Sequence, residues 1–256
     1  GLVPTMGFLH EGHLELVRQA KKQSASVAVS IFVNPTQFSP SEDLDAYPRD
    51  LNRDLTLLKT VGADLVWTPT SKDLYPPGFQ TWVEATDVTQ PLEGSYRPGH
   101  FKGVTTMVAK LFNAVQPDLA FFGQKDAQQV IVIQQMTRDL SYPVKIVVVP
   151  TVREADGLAR SSRNTYLNEE QRAAATVLYR ALRAAESTYL DGEWSGAALR
   201  SVMAEKIKAE PLAEAQYVSC ADQVSLQELD RVTNGALLSM AVYVGSTRLI
   251  DNWILD

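Results

Sequence analysis

The chain is poor in the residues that build disulfides and transition-metal sites. Cys220 is the single cysteine in 256 residues, so no internal disulfide can form, which fits a reducing compartment. Three histidines are present, and with one cysteine they leave few ligands for a metal site. Lys and Arg number 24 against 30 Asp and Glu, so we expect no nucleic-acid partner.

Two sequence signals are also missing. The sequence has no secretory signal and no apolar run long enough to span a membrane, so we expect no membrane partner. It has no glycine-rich loop ending in Gly-Lys-Ser/Thr, the pattern that holds a γ-phosphate for transfer. Hydrophobic residues make up 45% of the chain, enough for a full core. In so acidic a protein, any phosphate site must gather its positive charge locally.

The most informative segment is a predicted strand, turn and helix start over residues 2–20. His10 and His13 lie three apart at the turn, so they share one face of the first helical turn. Gly12 between them leaves the backbone uncovered, so that a flat ring can approach. A helix start also offers free N–H groups and the positive end of the dipole to phosphate. The segment predicts a nucleotide site with imidazoles at the phosphates.

Other interpretations of the histidine pair stay open at this point. His-x-x-His is common by chance, and the pair could be a solvated helix start or half of a metal site. A metal is disfavoured because His100, the third histidine, lies far away in sequence.

The hydrophobic pattern predicts alternating strands and helices, and therefore a parallel sheet. Predicted strands cover 27–33, 63–67, 81–85, 119–123 and 144–149, and predicted helices cover 51–61, 104–115 and 127–140. Beyond residue 152 the pattern changes to helices over 168–191 and 195–209 and strands over 215–220, 236–244 and 247–251. We therefore expect an α/β fold with two domains, a Rossmann-like domain over 1–151 and a smaller α+β domain over 152–256.

Three further segments lie where ligands bind in such sheets, at or after strand ends. Lys125 and Asp126 open a helix after a strand, so the lysine can meet phosphate and the aspartate a ribose hydroxyl, although an ordinary helix cap would look similar. Gln37 ends the second strand; its neutral amide can orient a carboxylate without stabilising it as strongly as an arginine would, but a loop amide is equally compatible. Residues 160–164 form a predicted phosphate clamp on a loop near the domain junction, and Ser162 or Asn164 could instead, or in addition, cap a helix.

Together these motifs resemble the pantothenate synthetase family. The resemblance rests on Pro4-Thr5-Met6-Gly7 with His10 and His13, on residues 33–38, on Gly123-x-Lys125-Asp126-x-Gln128-Gln129 and on residues 161–164, in order along the chain. It implies the Rossmann-like fold of the H-x-G-H nucleotidyl-transfer superfamily. It also implies a cytoplasmic homodimer that uses ATP with Mg²⁺ to join pantoate to β-alanine through a pantoyl adenylate.

The resemblance further implies roles for individual residues. The catalytic group would be His13, His10, Lys125 and Arg163. The ATP site would consist of Met6, Gly7, Phe8, Leu9, His10, Glu11, Gly12, His13, Gly123, Gln124, Lys125, Asp126, Val152, Arg160, Ser161, Ser162 and Arg163. Gln37 and Gln129 would bind pantoate, Gln37 would also bind β-alanine, and the metal ligands stay unassigned. Two positions depart from the family pattern: Gln124 replaces a common glutamate, and Arg160 replaces an apolar residue.

Two rival functions remain at this level. A nucleotidylyltransferase acting on a phosphorylated acceptor should need extra cations, whereas the predicted acceptor site offers glutamines. A silent nucleotide-binding sensor need not retain both histidines, Lys125 and Arg163. The residues of 152–256 are expected to act as a lid over the ATP- and pantoate-binding domain.

Overall fold

The computed structural model describes residues 1–39 and 42–256, which form two compact units. The first unit contains Gly1–Gln124 and Gln128–Pro150, and the second contains Lys125–Ala127 and Thr151–Asp256. The second unit therefore includes a three-residue segment, Lys125–Ala127, that interrupts the first unit in sequence. The predicted division into residues 1–151 and 152–256 placed this segment in the first domain.

A parallel sheet forms the centre of the first unit, as predicted, and it has five strands. Its strands are β1 (Leu2–Thr5), β2 (Ala28–Ile31), β3 (Leu65–Trp67), β4 (Leu119–Gly123) and β5 (Lys145–Val149). Their order is β3-β2-β1-β4-β5, so the chain winds outward from β1 and then returns to β4 on its other side. The crevice at such a reversal, outside the carboxyl ends of the strands, is where open α/β sheets bind ligands.

Six helices accompany this sheet in the described part of the chain: α1 (Glu11–Gln23), α2 (Leu51–Thr60), α3 (Ser71–Leu74), α4 (Glu93–Tyr96), α5 (His100–Val115) and α6 (Ala127–Asp139). The strand residues Val3, Val29 and Phe121 have no exposed surface, and they share a core with Val17 of α1 and Leu58 of α2. Burial of the strands by helices explains their nearly continuous apolar sequences.

The predicted strand over 81–85 is wrong, because these residues form no strand and pair with none. Two hydroxyl groups of α5 form the backbone hydrogen bonds that a neighbouring strand would otherwise form. Thr106 Oγ1 accepts from the Val83 N–H at 3.0 Å, and Thr105 Oγ1 donates to the Val83 carbonyl at 2.6 Å. The backbone partners of Val83 therefore come from a helix that follows later in the chain.

The second unit packs helices on a three-stranded antiparallel sheet, which confirms the predicted smaller α+β domain. Its elements are α7 (Glu169–Ala174), α8 (Val177–Leu190), α9 (Gly196–Lys208), β6 (Ala213–Ala221), β7 (Leu237–Val244) and β8 (Thr247–Ile254), with β7 in the middle of the sheet. The helix predicted over 168–191 is divided in two at Ala175 and Thr176. There the Thr176 hydroxyl donates to the Ala173 carbonyl at 2.8 Å, which shortens the last turn of α7.

Candidate active site

A buried carboxylate shapes the turn between β1 and α1. Gly7 and Phe8 both have positive φ, at +84° and +49°. The next N–H groups point at Asp54 on α2: the Phe8 N–H donates to Oδ2 and the Leu9 N–H to Oδ1, each at 2.7 Å. Asp54 is 1% exposed, and burial raises the pKa of its carboxyl although these two bonds act to lower it. The carboxylate thus fixes the backbone that leads into the histidine pair.

Sequence reasoning missed Asp54, but a signal was present. Asp54 lies four residues before Leu58, so both side chains lie on the buried face of α2. A carboxylate on an apolar face needs a hydrogen-bonding partner, and here the partners are backbone groups 45 and 46 residues earlier.

The two histidines cap α1 with their own rings. His10 Nδ1 accepts from the Gly12 N–H at 3.1 Å, and His13 Nδ1 accepts from the His10 N–H at 3.3 Å. The ring centroids are 4.1 Å apart. Because both Nδ1 atoms act as acceptors, each neutral ring carries its proton on Nε2. The capping box therefore sets the tautomer of both imidazoles.

The other turn residues contribute in different ways. The Leu9 side chain is fully buried in the core, so only its backbone can face a ligand. Glu11 forms an ion pair with Arg18 of the same helix. The side chain of Phe8 supports the guanidinium of Arg53, which lies 5.0 Å from the ring centroid.

Gln37 lies at the end of a 3₁₀ turn, Pro35–Gln37, which follows β2. The fully buried Asn34 caps this turn and donates to the Gly103 carbonyl of α5 at 3.1 Å. The turn can lie so close to α5 because residue 103 is glycine: a Cβ there would be 2.5 Å from the Thr36 carbonyl oxygen. Asn34 and Gly103 thereby fix the place of Gln37 at the carboxyl end of β2.

His100, the histidine left without a role by sequence reasoning, contacts the backbone of Gln37. Its Nδ1 lies 2.8 Å from the Gln37 carbonyl oxygen, so Nδ1–H donates, and Nε2 accepts from Arg97 Nη1 at 3.1 Å. Burial, followed by the charge of Arg97, lowers the pKa of His100 to about 4. Arg97 is held in turn by Glu42, with 2.6 Å between Nη2 and Oε2, and lies 3.6 Å from Glu93. The ring is therefore a neutral support for Gln37.

Gln129 lies in the first turn of α6, after β4, and is half-buried. Neither it nor Gln37 has a side-chain hydrogen-bond partner within residues 1–39 and 42–256. The neighbouring Gln128 differs: it is 5% exposed and its amide bonds the backbone of Glu93, Val88 and Pro91. The strands β2, β1 and β4 are adjacent and parallel, so their carboxyl ends lie side by side. The first unit therefore places one group of predicted site residues at this end of the sheet: Met6–His13, Gln37, Gly123, Gln124 and Gln129.

The second unit contains the other predicted residues, which are Lys125, Asp126, Val152, Arg160, Ser161, Ser162 and Arg163. Lys125 Nζ lies 3.7 Å from Asp126 Oδ1. The Arg160 N–H donates to the Val152 carbonyl at 2.9 Å, and Ser161 Oγ accepts from the Arg163 N–H at 3.3 Å. A cap is present, as the alternative interpretation predicted, but Ser161 forms it instead of Ser162 or Asn164, at the start of the 3₁₀ turn Ser162–Tyr166.

Over the described ranges, no group of three or more His, Cys, Asp or Glu residues could hold a metal ion. In the same ranges, no helix has the length and hydrophobicity needed to cross a membrane.

Comparison with known proteins assigns this arrangement to a family. Residues 1–254 match the family model described as pantoate-beta-alanine ligase. The chain belongs to this family. It is 60% identical to the pantothenate synthetase of Chloroflexus aurantiacus, over 100% of this chain and 92% of that protein. It is 59% identical to that of Herpetosiphon aurantiacus, over 100% and 93%.

Solved structures of this enzyme family share the fold. Pantothenate synthetase from Thermus thermophilus superposes with a TM-score of 0.97 at 47% identity, covering 99% of this chain and 92% of that one. Pantoate-beta-alanine ligase from Francisella tularensis, described as complexed with beta-gamma ATP and β-alanine, gives 0.82 at 36% identity, with 99% and 88% covered. The chain is thus an enzyme of the ligase class with the predicted fold.

Proposed function

We propose that this protein condenses (R)-pantoate with β-alanine, consuming ATP, and forms pantothenate, AMP and pyrophosphate. The observation that carries the proposal is the capped histidine turn at the carboxyl end of β1, in a chain that matches the ligase family over residues 1–254. The Francisella relative's described complex with an ATP species and β-alanine supports both of these substrates.

The histidine turn suits the α-phosphate of ATP. Both rings carry their proton on Nε2 because both Nδ1 atoms accept backbone N–H bonds, and N–H donors stabilise charge that develops on phosphoryl oxygens. His13 is the main donor and His10 its partner. In this proposal Lys125 and Arg163 supply positive charge to the phosphates, and the remaining residues of the predicted ATP site bind the nucleotide.

Pantoate lies between Gln37 and Gln129 in this proposal. Their amides have no protein partner among the described residues, so they can bind a hydroxyl and a carboxylate. A neutral amide orients the carboxylate without the ground-state stabilisation that an arginine would give, and the carboxylate stays nucleophilic. β-Alanine enters beside Gln37.

The reaction then has two steps. A pantoate carboxylate oxygen attacks the α-phosphorus while the bond from that phosphorus to the α,β-bridging oxygen breaks, and pyrophosphate leaves. The neutral amine of β-alanine next attacks the acyl carbon, AMP leaves with the oxygen that had attacked phosphorus, and the nitrogen loses a proton. Exclusion of water matters between the steps, because the acyl adenylate hydrolyses readily.

Mg²⁺ belongs to this proposal only as a companion of ATP. The described residues offer no cluster of metal-ligating side chains, so a dedicated protein site does not fit them. Magnesium commonly binds substrate phosphates and water instead, where it neutralises phosphate charge.

We also propose that the second unit serves as a lid, in a homodimeric, cytoplasmic enzyme. The loop over 160–163 follows the unit boundary in sequence and contains a serine pair between two arginines. Amide hydrogen exchange over residues 154–166 should slow when ATP and pantoate are both bound. Unchanged exchange in the saturated complex would indicate a static clamp.

Isotope transfer tests the chemical path. Pantoate labelled with ¹⁸O in its carboxylate should deliver one labelled oxygen to AMP, since that oxygen attacks phosphorus and stays there. The competing path, an acyl phosphate, would release ADP and place the label in inorganic phosphate. That result would overturn the adenylate mechanism. Pyrophosphate release with phosphorylated acceptors instead of pantoate would favour the nucleotidylyltransferase alternative.

A further inference from the structure

The segment that carries Lys125 is held by the last strand of the chain. Asn252 on β8 donates from Nδ2 to the Lys125 carbonyl oxygen at 2.8 Å. Asn252 is 4% exposed, and its partner lies 127 residues earlier in sequence. This bond lies within the second unit, to which Lys125–Ala127 belongs although these residues closely follow β4.

The neighbouring residue on β8 holds the segment that precedes the serine–arginine loop. Asp251, 2% exposed, accepts two hydrogen bonds from Arg153, at 2.7 Å from Nη1 and 2.9 Å from Nη2. Arg153 is paired with Ala159 in a small hairpin, and Arg153 Nη1 also donates to the Gly157 carbonyl at 3.0 Å. The hairpin runs directly into Arg160. β8 also packs against the turn Ser162–Tyr166.

We propose that Asn252 is a positioning residue for Lys125, and that β8 thereby sets the place of both cation-bearing segments through two adjacent side chains. The inference rests on the proposed function, in which Lys125 binds ATP phosphate. A lysine side chain is long and flexible, so its reach is restricted mainly by its backbone. The bond from Asn252 fixes that backbone where no α-helix or strand does, since Lys125 lies in a short 3₁₀ turn, Gln124–Asp126.

Asn252→Asp is the closest variant in shape, and it places a carboxylate oxygen against the Lys125 carbonyl. Asn252→Ala removes the donor without adding charge. Both should raise the Kd for ATP, measured by titration calorimetry, on the order of tenfold, as expected when a buried carbonyl loses its partner, and should leave the Kd for pantoate within about twofold. Arg248→Gln is the matched control, because Arg248 lies earlier on the same strand and bonds Gln216 instead.

A double-mutant comparison separates positioning from general support of the fold. If Asn252 acts through Lys125, Asn252→Asp should cause little further loss of ATP affinity in a Lys125→Ala background. Amide hydrogen exchange of residues 125–127 should accelerate in Asn252→Asp and not in Arg248→Gln. Losses that add in the double variant, or an Asn252 variant that matches Arg248→Gln, would overturn the inference.

The exchange and ATP-affinity measurements do not depend on turnover. If the wild-type protein binds ATP but releases no pyrophosphate with pantoate, the proposed function is wrong. The effect of the Asn252 variants on ATP binding and on amide exchange can still be measured. Conversely, a strong effect of Lys125→Ala with no effect of Asn252→Asp would leave the proposed function intact and remove Asn252 from it.

Discussion

Asp54 and Asp251 are both buried carboxylates that hold a segment of the candidate site, and they do so with different partners. Asp54 accepts two backbone N–H groups in the first unit, whereas Asp251 accepts two bonds from the guanidinium of Arg153 in the second. The first arrangement uses uncharged donors and the second a buried ion pair. Loss of each carboxylate should therefore cost a different amount of stability. Removal of Asp251 leaves the largely buried Arg153 without its partner, whereas Arg53, 3.5 Å from Asp54, is 44% exposed and stays solvated.

The largest effect is expected at Asp251. Asp251→Ala should lower the free energy of unfolding by about 3–5 kcal/mol, since the Arg153 side chain, 14% exposed, would keep its charge without a partner. Urea denaturation followed by fluorescence measures this. Asp156→Ala removes a largely exposed pair with Arg172 and should cost at most about 1 kcal/mol. Equal losses in the two variants would contradict the comparison.

The second expectation concerns pH. His100 has a pKa of about 4 in the fold, whereas a histidine in the unfolded chain titrates near 6.5. Between these values the unfolded chain binds the proton and the fold does not, so stability should fall as pH drops from 6.5 to 4. The loss attributable to His100 is up to about 3 kcal/mol.

His100→Asn provides the control for this pH effect. An Asn amide can donate to the Gln37 carbonyl from the position of Nδ1 but cannot titrate. The groups facing His100 are Arg97, Glu93 and Glu42, and they stay in place in this variant. If the pH slopes of wild type and variant agree between 4 and 6.5, His100 is not the group responsible.

A variant of His13 tests the proposed chemistry of the turn whose backbone is bonded to Asp54. His13→Ala should slow adenylate formation by about 100-fold or more, as is typical when a preorganised donor is lost. Single-turnover release of pyrophosphate measures the step. Lys22→Ala, exposed near the end of the same helix, should leave the rate unchanged. A near-wild-type rate for His13→Ala would remove this residue from the mechanism.

Asp54→Ala measures what loss of the other buried carboxylate costs in stability. Two N–H groups would lose their acceptor, but a buried charge would also disappear, so we expect a net loss of about 2 kcal/mol, smaller than at Asp251. Asp50→Ala at the exposed N-cap of α2 should cost about 1 kcal/mol. The Asp54 variant should also lose activity more than Asp50→Ala does, because the backbone leading to His10 is released. A loss at Asp54 above that at Asp251 would reverse the argument.

The smallest effect is expected at Gln37. Gln37→Ala should raise KM for pantoate about tenfold and leave ATP affinity nearly unchanged, since its amide faces the acid in the proposed site. Gln90→Ala, an exposed amide of the same unit, serves as the control. A selective loss of ATP affinity would mean that the acid and nucleotide sites are assigned the wrong way round.

Sequence reasoning succeeded where structure depends on short separations. The parallel sheet, the positions of His10 and His13 on one helical turn and the location of Gln37 and Lys125 after strands all follow from local pattern and are found in the structure. Asp54, Asp251 and Asn252 escaped prediction because their partners lie 45 to 127 residues away. The hydrophobic pattern of a helix can show that a carboxylate lies on its apolar face, but it does not identify the distant group that forms the hydrogen bond.

The same limit explains the local errors. Residues 81–85 are predicted as a short strand, yet the backbone of Val83 bonds threonine hydroxyls on α5, and the segment lies outside every sheet of the described ranges. His100 lacked a role in sequence because its partner is a backbone carbonyl, which any residue type can supply.

Phe8 adopts a φ of +49°, a region that L-residues other than glycine, asparagine and aspartate seldom occupy. The turn therefore stores strain of about 1 kcal/mol or more, which the bond to Asp54 maintains. Phe8→Gly would relax this strain, but the ring beneath Arg53 would be lost and the turn would gain freedom. A stabilising redesign of this loop would therefore have to remove the strain at Phe8 without releasing the backbone that leads to His10.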